Sequence, residues 1–124
     1  MQKLLLIAIA GGMGSLARYG LSGLVQWLDG TGFAWGTPVV NLLGCFMFGM
    51  IWTLAEERMM ISGETRAIVL TGFMGAFTTF STYIFETSEL LSNAEYGMAL
   101  WNIGFQTIGG LVVFFLGMAT GRIV

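Results

Sequence analysis

Hydrophobic residues are grouped along the chain into four long runs, separated by short polar segments. The runs cover residues 4–28, 37–55, 67–91 and 97–118, and each is close to the roughly 20 residues that a helix needs to cross a bilayer. The segments between them contain the Gly, Ser, Asn and Asp residues that are typical of turns. The pattern therefore predicts an all-α membrane protein of four transmembrane helices, with the 124 residues forming a single domain.

The composition supports this interpretation. Hydrophobic residues make up 56% of the chain and charged residues only 10%, whereas a soluble domain carries about 25% charged residues. The net charge of −2 excludes the basic surface of a nucleic-acid-binding protein. Histidine is absent and Cys45 is the single cysteine, which excludes an internal disulfide and argues against a zinc site. We interpret Cys45, which lies in an apolar run, as a small buried residue.

The first run also has a feature of signal peptides, because Lys3 precedes the apolar segment 4–10. The apolar character continues to Leu28, however, and no convincing cleavage motif precedes Arg18. We therefore interpret this run as a transmembrane helix.

Basic residues outside the apolar runs are unevenly distributed. With four helices, the N-terminus, the second loop and the C-terminus share one side of the membrane. That side holds Lys3, Arg58, Arg66 and Arg122, whereas the other two loops hold no basic residue. The positive-inside rule predicts that this side is cytoplasmic.

Two polar side chains lie inside the first two runs. Arg18 lies about 20 Å along the first helix, at 1.5 Å per residue. There it either snorkels to the far interface or forms an electropositive vestibule that attracts anions. Asn41 in the second run either joins helices by hydrogen bonds or offers its amide N–H groups to an anion. The sequence leaves these alternatives open.

The third run contains a polar segment over residues 71–83. Two glycines and a dense series of threonine and serine residues make this segment poorly suited to a continuous helix. We predict that the helix is broken here, near the bilayer centre. Unpaired backbone groups are tolerated at that depth only where they are buried in protein or line a cavity or ion site. The alternative is a continuous helix whose hydroxyl groups donate to the preceding turn.

Aromatic and acidic residues follow the predicted break. Phe80 and Tyr83 lie one helical turn apart, and Glu86 continues the same face. Such aromatic pairs usually pack against each other, but the positive edge of an aromatic ring also stabilises an anion. In the fourth run Asn102 and Gln106 share one face. The sequence does not distinguish a pore-lining role from an interhelical role for this pair.

Three motifs combine these residues, one in each of the first three runs. They are Gly11-Gly12-x-Gly14-x-x-x-Arg18, Val40-Asn41-x-x-Gly44, and Gly72-Phe73-x-Gly75-x-x-Thr78-Thr79-Phe80-Ser81-Thr82 continuing to Glu86. With these motifs the chain resembles the Fluc (CrcB) family of fluoride channels. The third motif is the most specific, and the resemblance extends to the length, number and order of the predicted helices.

The resemblance implies an antiparallel, dual-topology dimer with two narrow anion pores, located in a prokaryotic inner membrane. Fluoride would leave the cytoplasm through these pores passively, which lowers its toxicity. The residues that match pore positions of the family are Asn41, Phe80, Ser81 and Thr82. Tyr83 stands where the family usually has a second phenylalanine, so the ring edge is retained. Its added hydroxyl group either donates to the ion, narrows the pore or turns away.

The resemblance also implies a structural sodium ion between the two subunits. The backbone carbonyls that hold this ion in the family correspond to those of Gly75 and Thr78. Arg18 and Glu86 belong to the family pattern, and we expect them to line a vestibule or to have a structural role. For the fourth run, the resemblance identifies no residue.

The charge distribution conflicts with the dual topology of the family. A subunit that inserts in both orientations needs a slight charge bias, but here four basic residues lie on one side and none in the opposite loops. The bias is either weak enough to permit a homodimer, or the chain pairs with an oppositely oriented paralogue.

Three other classes of function agree less well with the sequence. An exporter resembling the small multidrug resistance family needs an acidic residue in the first run, and that run has none before Asp29. A purely structural assembly subunit has no need of polar residues at the predicted break. We also expect that the protein is not an enzyme, because it lacks histidine and a convergent acid–base pair.

Overall fold

The computed structural model describes all 124 residues, and every regular element in it is helical. Helix α1 spans Gln2–Leu28 and α2 spans Gly36–Glu56; after the interrupted third span, α5 covers Tyr96–Ile123. These three helices and the third span, Gly63–Ser92, are each long and apolar enough to cross a membrane. The prediction of four transmembrane helices is confirmed.

The third span consists of two helices. Helix α3 covers residues 63–77 and α4 spans Phe80–Ser92. Between them Thr78 and Thr79 have extended backbone, with ψ angles of 158° and 115°. The Thr79 hydroxyl accepts a hydrogen bond from the Thr82 amide at 3.3 Å and so caps the start of α4. The predicted break is therefore confirmed at the middle of the span, which bends by about 20°.

Helix α3 has a feature that the sequence did not predict. It is α-helical over Gly63–Ala67, π-helical over Ile68–Met74 and α-helical again over Gly75–Phe77. Wider turns of this kind are uncommon and are often found at functional sites. Here they directly precede the break.

The third and fourth spans are longer than the apolar runs of the sequence. Helix α3 begins at Gly63 because the Ser62 hydroxyl accepts a hydrogen bond from the Thr65 amide at 3.1 Å, a typical N-cap. Helix α5 continues to Ile123, five residues beyond the predicted end at 118. Polar caps and a final basic turn thus extend helices past their hydrophobic cores.

Helices α2 and α5 pack closely along a seam of glycines. A Cβ atom at Gly117 would lie 2.0 Å from the Phe46 carbonyl oxygen, and one at Gly49 would lie 2.2 Å from the Phe114 carbonyl oxygen. Only glycine allows the two backbones to approach this closely. Membrane helices associate through such small-residue contacts because lipid offers no hydrophobic driving force between them.

Helix α1 packs against α3 and runs in the same direction. A Cβ atom at Gly72 would lie 2.9 Å from the Ile7 carbonyl oxygen, and one at Gly14 would lie 2.2 Å from the Phe73 carbonyl oxygen. The other faces of α1 are largely exposed, and only 6% of the residues in its apolar 18-residue stretch are buried. These faces are available to lipid or to another protein chain.

One end of the bundle is joined by ion pairs. Arg122 Nε lies 2.7 Å from Glu57 Oε2, and Arg58 donates a hydrogen bond to the Arg122 carbonyl at 2.7 Å. Arg66 pairs with Glu56 and lies over the ring of Trp52. The second loop and the C-terminus therefore lie at the same end, as four spans require.

The opposite end is joined by aromatic rings. Phe33 and Trp35 of the first loop contact Trp101 at the start of α5, with ring centroids 5.4 Å and 5.2 Å apart. Trp101 stacks on Phe105 at 4.6 Å. Tryptophan is enriched at membrane interfaces, so this cluster fits the boundary between hydrocarbon and headgroups.

Candidate functional site

The break in the third span exposes backbone groups that a continuous helix would pair. Because Thr78 and Thr79 are not helical, the carbonyl oxygens of residues 75–77 have no amide in a following turn from which to accept. The amides of residues 80 and 81 likewise begin α4 without a preceding helical carbonyl. The break therefore places a carbonyl-rich helix end and an amide-rich helix start next to each other.

Asn41 of α2 pairs with both backbone groups of Thr79. The Thr79 amide donates to Asn41 Oδ1 at 2.8 Å, and Asn41 Nδ2 donates to the Thr79 carbonyl at 3.0 Å. The side-chain amide thus takes the place of a neighbouring peptide group at the break. Of the two alternatives that the sequence left open for Asn41, the structure shows its interhelical hydrogen bonds.

A row of hydrogen bonds continues from Asn41 into α5 and returns to α4. Asn41 Nδ2 also donates to Gln106 Oε1 at 2.7 Å, and Gln106 Nε2 donates to Asn102 Oδ1 at 2.9 Å. Asn102 Nδ2 donates to the Thr87 hydroxyl at 3.0 Å, and that hydroxyl donates to the Tyr83 carbonyl at 2.7 Å. We call Asn41, Gln106, Asn102 and Thr87 the amide relay.

The groups at the two ends of the relay fix the orientation of each amide in it. One end is the Thr79 backbone, which has one donor and one acceptor, and the other is the Tyr83 carbonyl, which only accepts. Asn102 and Gln106 are only 1% and 9% exposed, so their polar groups need these partners. The sequence left the role of Asn102 and Gln106 open, and the structure places both in interhelical hydrogen bonds.

A groove of about 370 Å³ runs beside the break, between α2, α4 and α5. Phe80 projects into it and is 74% exposed, whereas Tyr83 is only 8% exposed. The two ring centroids are 5.6 Å apart. We call this space the break groove; its lining residues are Asn41, Gly44, Cys45, Phe48, Thr78, Thr79, Phe80, Tyr83, Gln106, Thr107 and Phe114.

A second space, of about 380 Å³, contains Arg18 and also reaches Thr79. Arg18 Nη1 lies 3.4 Å from the Thr78 carbonyl oxygen, a long contact that leaves the other guanidinium N–H groups free. Ser15, Ser22 and Thr82 also line this space. We call this space, whose lining contains Arg18 and no acidic residue, the arginine hollow.

Glu86 lies between the arginine side of the site and the loops. The Thr37 hydroxyl donates to Glu86 Oε1 at 2.7 Å, whereas Oε2 is buried without a partner. Glu86 lines two further hollows, one shared with Thr82 and one shared with Glu89 and Glu95. Glu86 is therefore shared by a hollow that Thr82 lines and by a hollow near the loops that is lined by acidic side chains.

The structure brings together only some of the residues that the sequence grouped. Asn41, Phe80 and Tyr83 share the break groove, whereas Thr82 lies with Arg18 in the other hollow. Ser81 is exposed and lines neither space. Within this single chain, the predicted pore residues do not line one common path.

Thr37 and Thr87 are two site residues that the sequence analysis did not identify. Thr37 holds Glu86, and Thr87 ends the amide relay. Each lies four residues from a residue that was identified, Thr37 before Asn41 and Thr87 after Tyr83. That spacing places each on the same helix face as its neighbour and was the available signal.

The fold and the site define a small multi-pass membrane protein of the channel or transporter class, with polar groups gathered at a broken helix. The chain matches the family described as CrcB-like protein, Camphor Resistance (CrcB), over residues 5–118. It belongs to this family. The resemblance found in the sequence is confirmed.

Named relatives cover the chain from end to end. It is 56% identical over 124 residues to the "Fluoride-specific ion channel FluC" of Solidesulfovibrio magneticus, covering 100% of this chain and 99% of the relative. It is 59% identical over 123 residues to the protein of the same name from Nitrosococcus oceani, covering 99% and 98%. These relatives are named as ion channels, which confirms the expectation that the chain is not an enzyme.

Proposed function

We propose that this protein is a subunit of a fluoride-selective channel that lets fluoride leave the bacterial cytoplasm passively. The break groove is the observation that carries this proposal. In it the Asn41 amide and the rings of Phe80 and Tyr83 meet at a break in a membrane helix. Membership of the CrcB family and the names of relatives up to 59% identical support fluoride as the ion.

The groups at the break suit a small, strongly hydrated anion. A pore for fluoride must replace the hydration shell with closely spaced hydrogen-bond donors, and it must also let the ion leave. The Asn41 amide, the Ser81 and Thr82 hydroxyl groups and the ring edges of Phe80 and Tyr83 are donors without full charge. The free amides at the start of α4 add to this positive potential.

A second subunit completes the proposed pathway. Ser81, Thr82 and Phe80 are exposed in one subunit, and hydroxyl groups near the centre of a membrane are unfavourable against lipid. A second copy packed over the break covers these groups and brings its own Ser81 beside the groove. We propose that this copy is antiparallel, so that the dimer holds two equivalent pores.

We also propose that a sodium ion binds between the two subunits. The break also carries carbonyl oxygens, which are suitable ligands for a hard cation. The Gly75 carbonyl has no helical partner. The Thr78 carbonyl has only the long contact from Arg18. Two carbonyls are too few for a cation of this kind, so the partner subunit would supply the rest. When bound, sodium would supply a fixed positive charge that compensates these carbonyl oxygens.

Fluoride efflux from proteoliposomes tests the proposed function directly. We expect purified protein to release trapped fluoride rapidly and to release no chloride. Liposomes without protein are the control. Well-folded dimers that release no fluoride would contradict the proposal for the homodimer, and co-expression with a paralogue would then test a heterodimer.

Two substitutions test the site. We expect Asn41→Asp to abolish fluoride efflux, since it replaces a donor by a negative charge that repels the ion. We expect Phe80→Ile to reduce efflux at least tenfold, since it removes the ring edge. Phe115→Ile is the matched control, because Phe115 is exposed on the outer face of α5. Unchanged flux in the first two variants would mean that these residues do not line the pore.

Site-specific labelling tests the antiparallel arrangement. A variant carrying Cys45→Ala and Asn93→Cys has its single thiol in the third loop. An antiparallel homodimer exposes half of these thiols on each side of the membrane, so an impermeant reagent should label about half of them in sealed vesicles. Complete labelling or none would show a single orientation and would point to a paralogous partner.

A further inference from the structure

The Asn41 amide has no free N–H group in this structure. Its Nδ2 atom donates one hydrogen bond to the Thr79 carbonyl at 3.0 Å and another to Gln106 Oε1 at 2.7 Å. A primary amide has two N–H donors, and both are used. An anion that passes Asn41 must therefore displace one of these two acceptors.

The two acceptors differ in how easily they can be displaced. Thr79 belongs to the backbone of the break, and its amide and carbonyl hold Asn41 by two hydrogen bonds. Gln106 is held on Asn41 by a single contact at the end of a side chain with three rotatable bonds. It also lines the break groove, where the anion would pass. The acceptor that can leave is therefore Gln106 Oε1.

We propose that Gln106 is a surrogate ligand of the pore: its Oε1 atom occupies the position on Asn41 that a permeating fluoride ion takes. This inference rests on the proposed function and adds a residue to it. The ion exchanges with Gln106 when it arrives, and Gln106 returns to Asn41 when the ion leaves.

The energetics favour such an exchange in both directions. A hydrogen bond to an anion is stronger than one to a neutral amide oxygen, so fluoride displaces Gln106. An empty pore without Gln106 would leave a partly buried donor of Asn41 unpaired, which is unfavourable. A surrogate acceptor removes this penalty and at the same time weakens net binding of the ion, which helps the ion to leave.

The rest of the amide relay allows Gln106 Oε1 to leave Asn41 while Gln106 Nε2 stays bonded. Gln106 Nε2 donates to Asn102 Oδ1, and Asn102 is held in turn by the Thr87 hydroxyl. Neither of these hydrogen bonds involves Gln106 Oε1 or Asn41. A rotation of the Gln106 side chain about this anchored nitrogen releases Oε1 from Asn41 while Nε2 stays bonded.

The test compares fluoride efflux over a range of fluoride concentrations for Gln106→Met and Gln106→Glu. Methionine has a similar length but no strong acceptor, so the half-saturating fluoride concentration should fall roughly fivefold. Glutamate is a stronger, charged acceptor and should raise that concentration at least tenfold. Thr120→Val is the control, because the Thr120 hydroxyl is exposed and donates only to its own helix, at the Leu116 carbonyl.

The outcomes separate this inference from the proposed function. If the wild-type protein conducts fluoride but Gln106→Met has an unchanged or higher half-saturating concentration, the surrogate role is wrong. The proposed channel function then remains intact. If Gln106 merely packed, both variants would change the maximal flux or the stability but not the half-saturating concentration. If the wild-type protein conducts no fluoride, the proposed channel function itself is wrong.

If the variants fail to fold, a measurement on the wild-type protein still tests the proposal. The chain has three glutamines, Gln2, Gln26 and Gln106, so side-chain amide signals of 15N-glutamine protein can be assigned in membranes by solid-state NMR. Fluoride, but not chloride, should shift the Gln106 signal. A Gln106 signal that does not respond to saturating fluoride would contradict the proposal.

Discussion

The seam between α2 and α5 and the break between α3 and α4 hold the bundle together in opposite ways. At the seam, glycines bring two continuous backbones into contact, as at Gly117 against the Phe46 carbonyl. At the break, the backbone is interrupted and side-chain amides take the place of the missing partners, as Asn41 does for Thr79. The closest contacts of the seam, at Gly49 and Gly117, are with backbone atoms that cannot move away, whereas the break is held partly by side chains that can.

This difference separates stability from function. Close packing of backbones fixes a single arrangement, because interiors at native density cannot deform gradually. Hydrogen bonds from side chains can be exchanged for bonds to an ion at little net cost. We therefore expect substitutions at the seam to act on folding, and substitutions at the break to act on flux, with a loss of stability as well where a partner of the backbone is removed.

The largest effect is expected at the seam. In Gly117→Val a side chain replaces a hydrogen where a Cβ atom would lie 2.0 Å from the Phe46 carbonyl oxygen. We expect no monodisperse protein in size-exclusion chromatography, because the overpacking cost reaches or exceeds roughly 3 kcal/mol. Gly104→Ala on the same helix is the control, since a Cβ atom there meets nothing within 4 Å. A well-folded Gly117→Val protein would show that the seam can open.

Removal of the amide at the break should have the next largest effect. In Asn41→Leu the Thr79 amide and carbonyl lose their partners, at a cost of roughly 1–3 kcal/mol for each buried group. We expect a lower unfolding temperature in detergent and no fluoride efflux. Thr107→Val, at an exposed position of the same groove, should leave the unfolding temperature unchanged. An Asn41→Leu protein as stable as wild type would mean that water or other groups satisfy Thr79.

Arg18 should affect flux more than stability. Its contact with the Thr78 carbonyl is 3.4 Å long, so Arg18→Gln should destabilise the protein by less than about 1 kcal/mol. Loss of the positive charge in the hollow should reduce fluoride efflux several-fold at low ionic strength. The difference from wild type should narrow at high ionic strength, where such attraction is screened. Equal flux at both ionic strengths would exclude an electrostatic role for Arg18.

The smallest effect is expected at the ion pair that joins the second loop to the C-terminus. The hydrogen bond from Arg122 lowers the pKa of Glu57 below its ordinary value. A carboxylate with a lowered pKa in the folded state stabilises the protein at neutral pH, and this contribution is lost as the pH falls through the folded-state pKa. Wild type should therefore be slightly more stable than Glu57→Gln at pH 7, and the two should converge below about pH 4. A difference that persists in acid would contradict this account.

The parts of the molecule that depend on local chemistry are predictable from the sequence. The four helices follow from the lengths of the apolar runs, and the break follows from the threonines and glycines around Thr78 and Thr79. Both depend on properties of consecutive residues: burial of a helical backbone in lipid and the poor helix propensity of β-branched residues. The π-helical turns over Ile68–Met74 were not predicted, because no local residue pattern distinguishes them from α-helical turns.

Only the tertiary structure decided which polar groups meet. The sequence placed Asn41, Asn102 and Gln106 on helix faces, but it could not show that these three amides bond in series or that Thr87 ends the relay. It also grouped Ser81 and Thr82 with Phe80, whereas the structure directs them to different surfaces. Contacts of this kind depend on the rotation and register of whole helices, which are set by the glycine contacts between them. The sequence by itself determined four helices and one break, and packing determined which polar groups meet at the break.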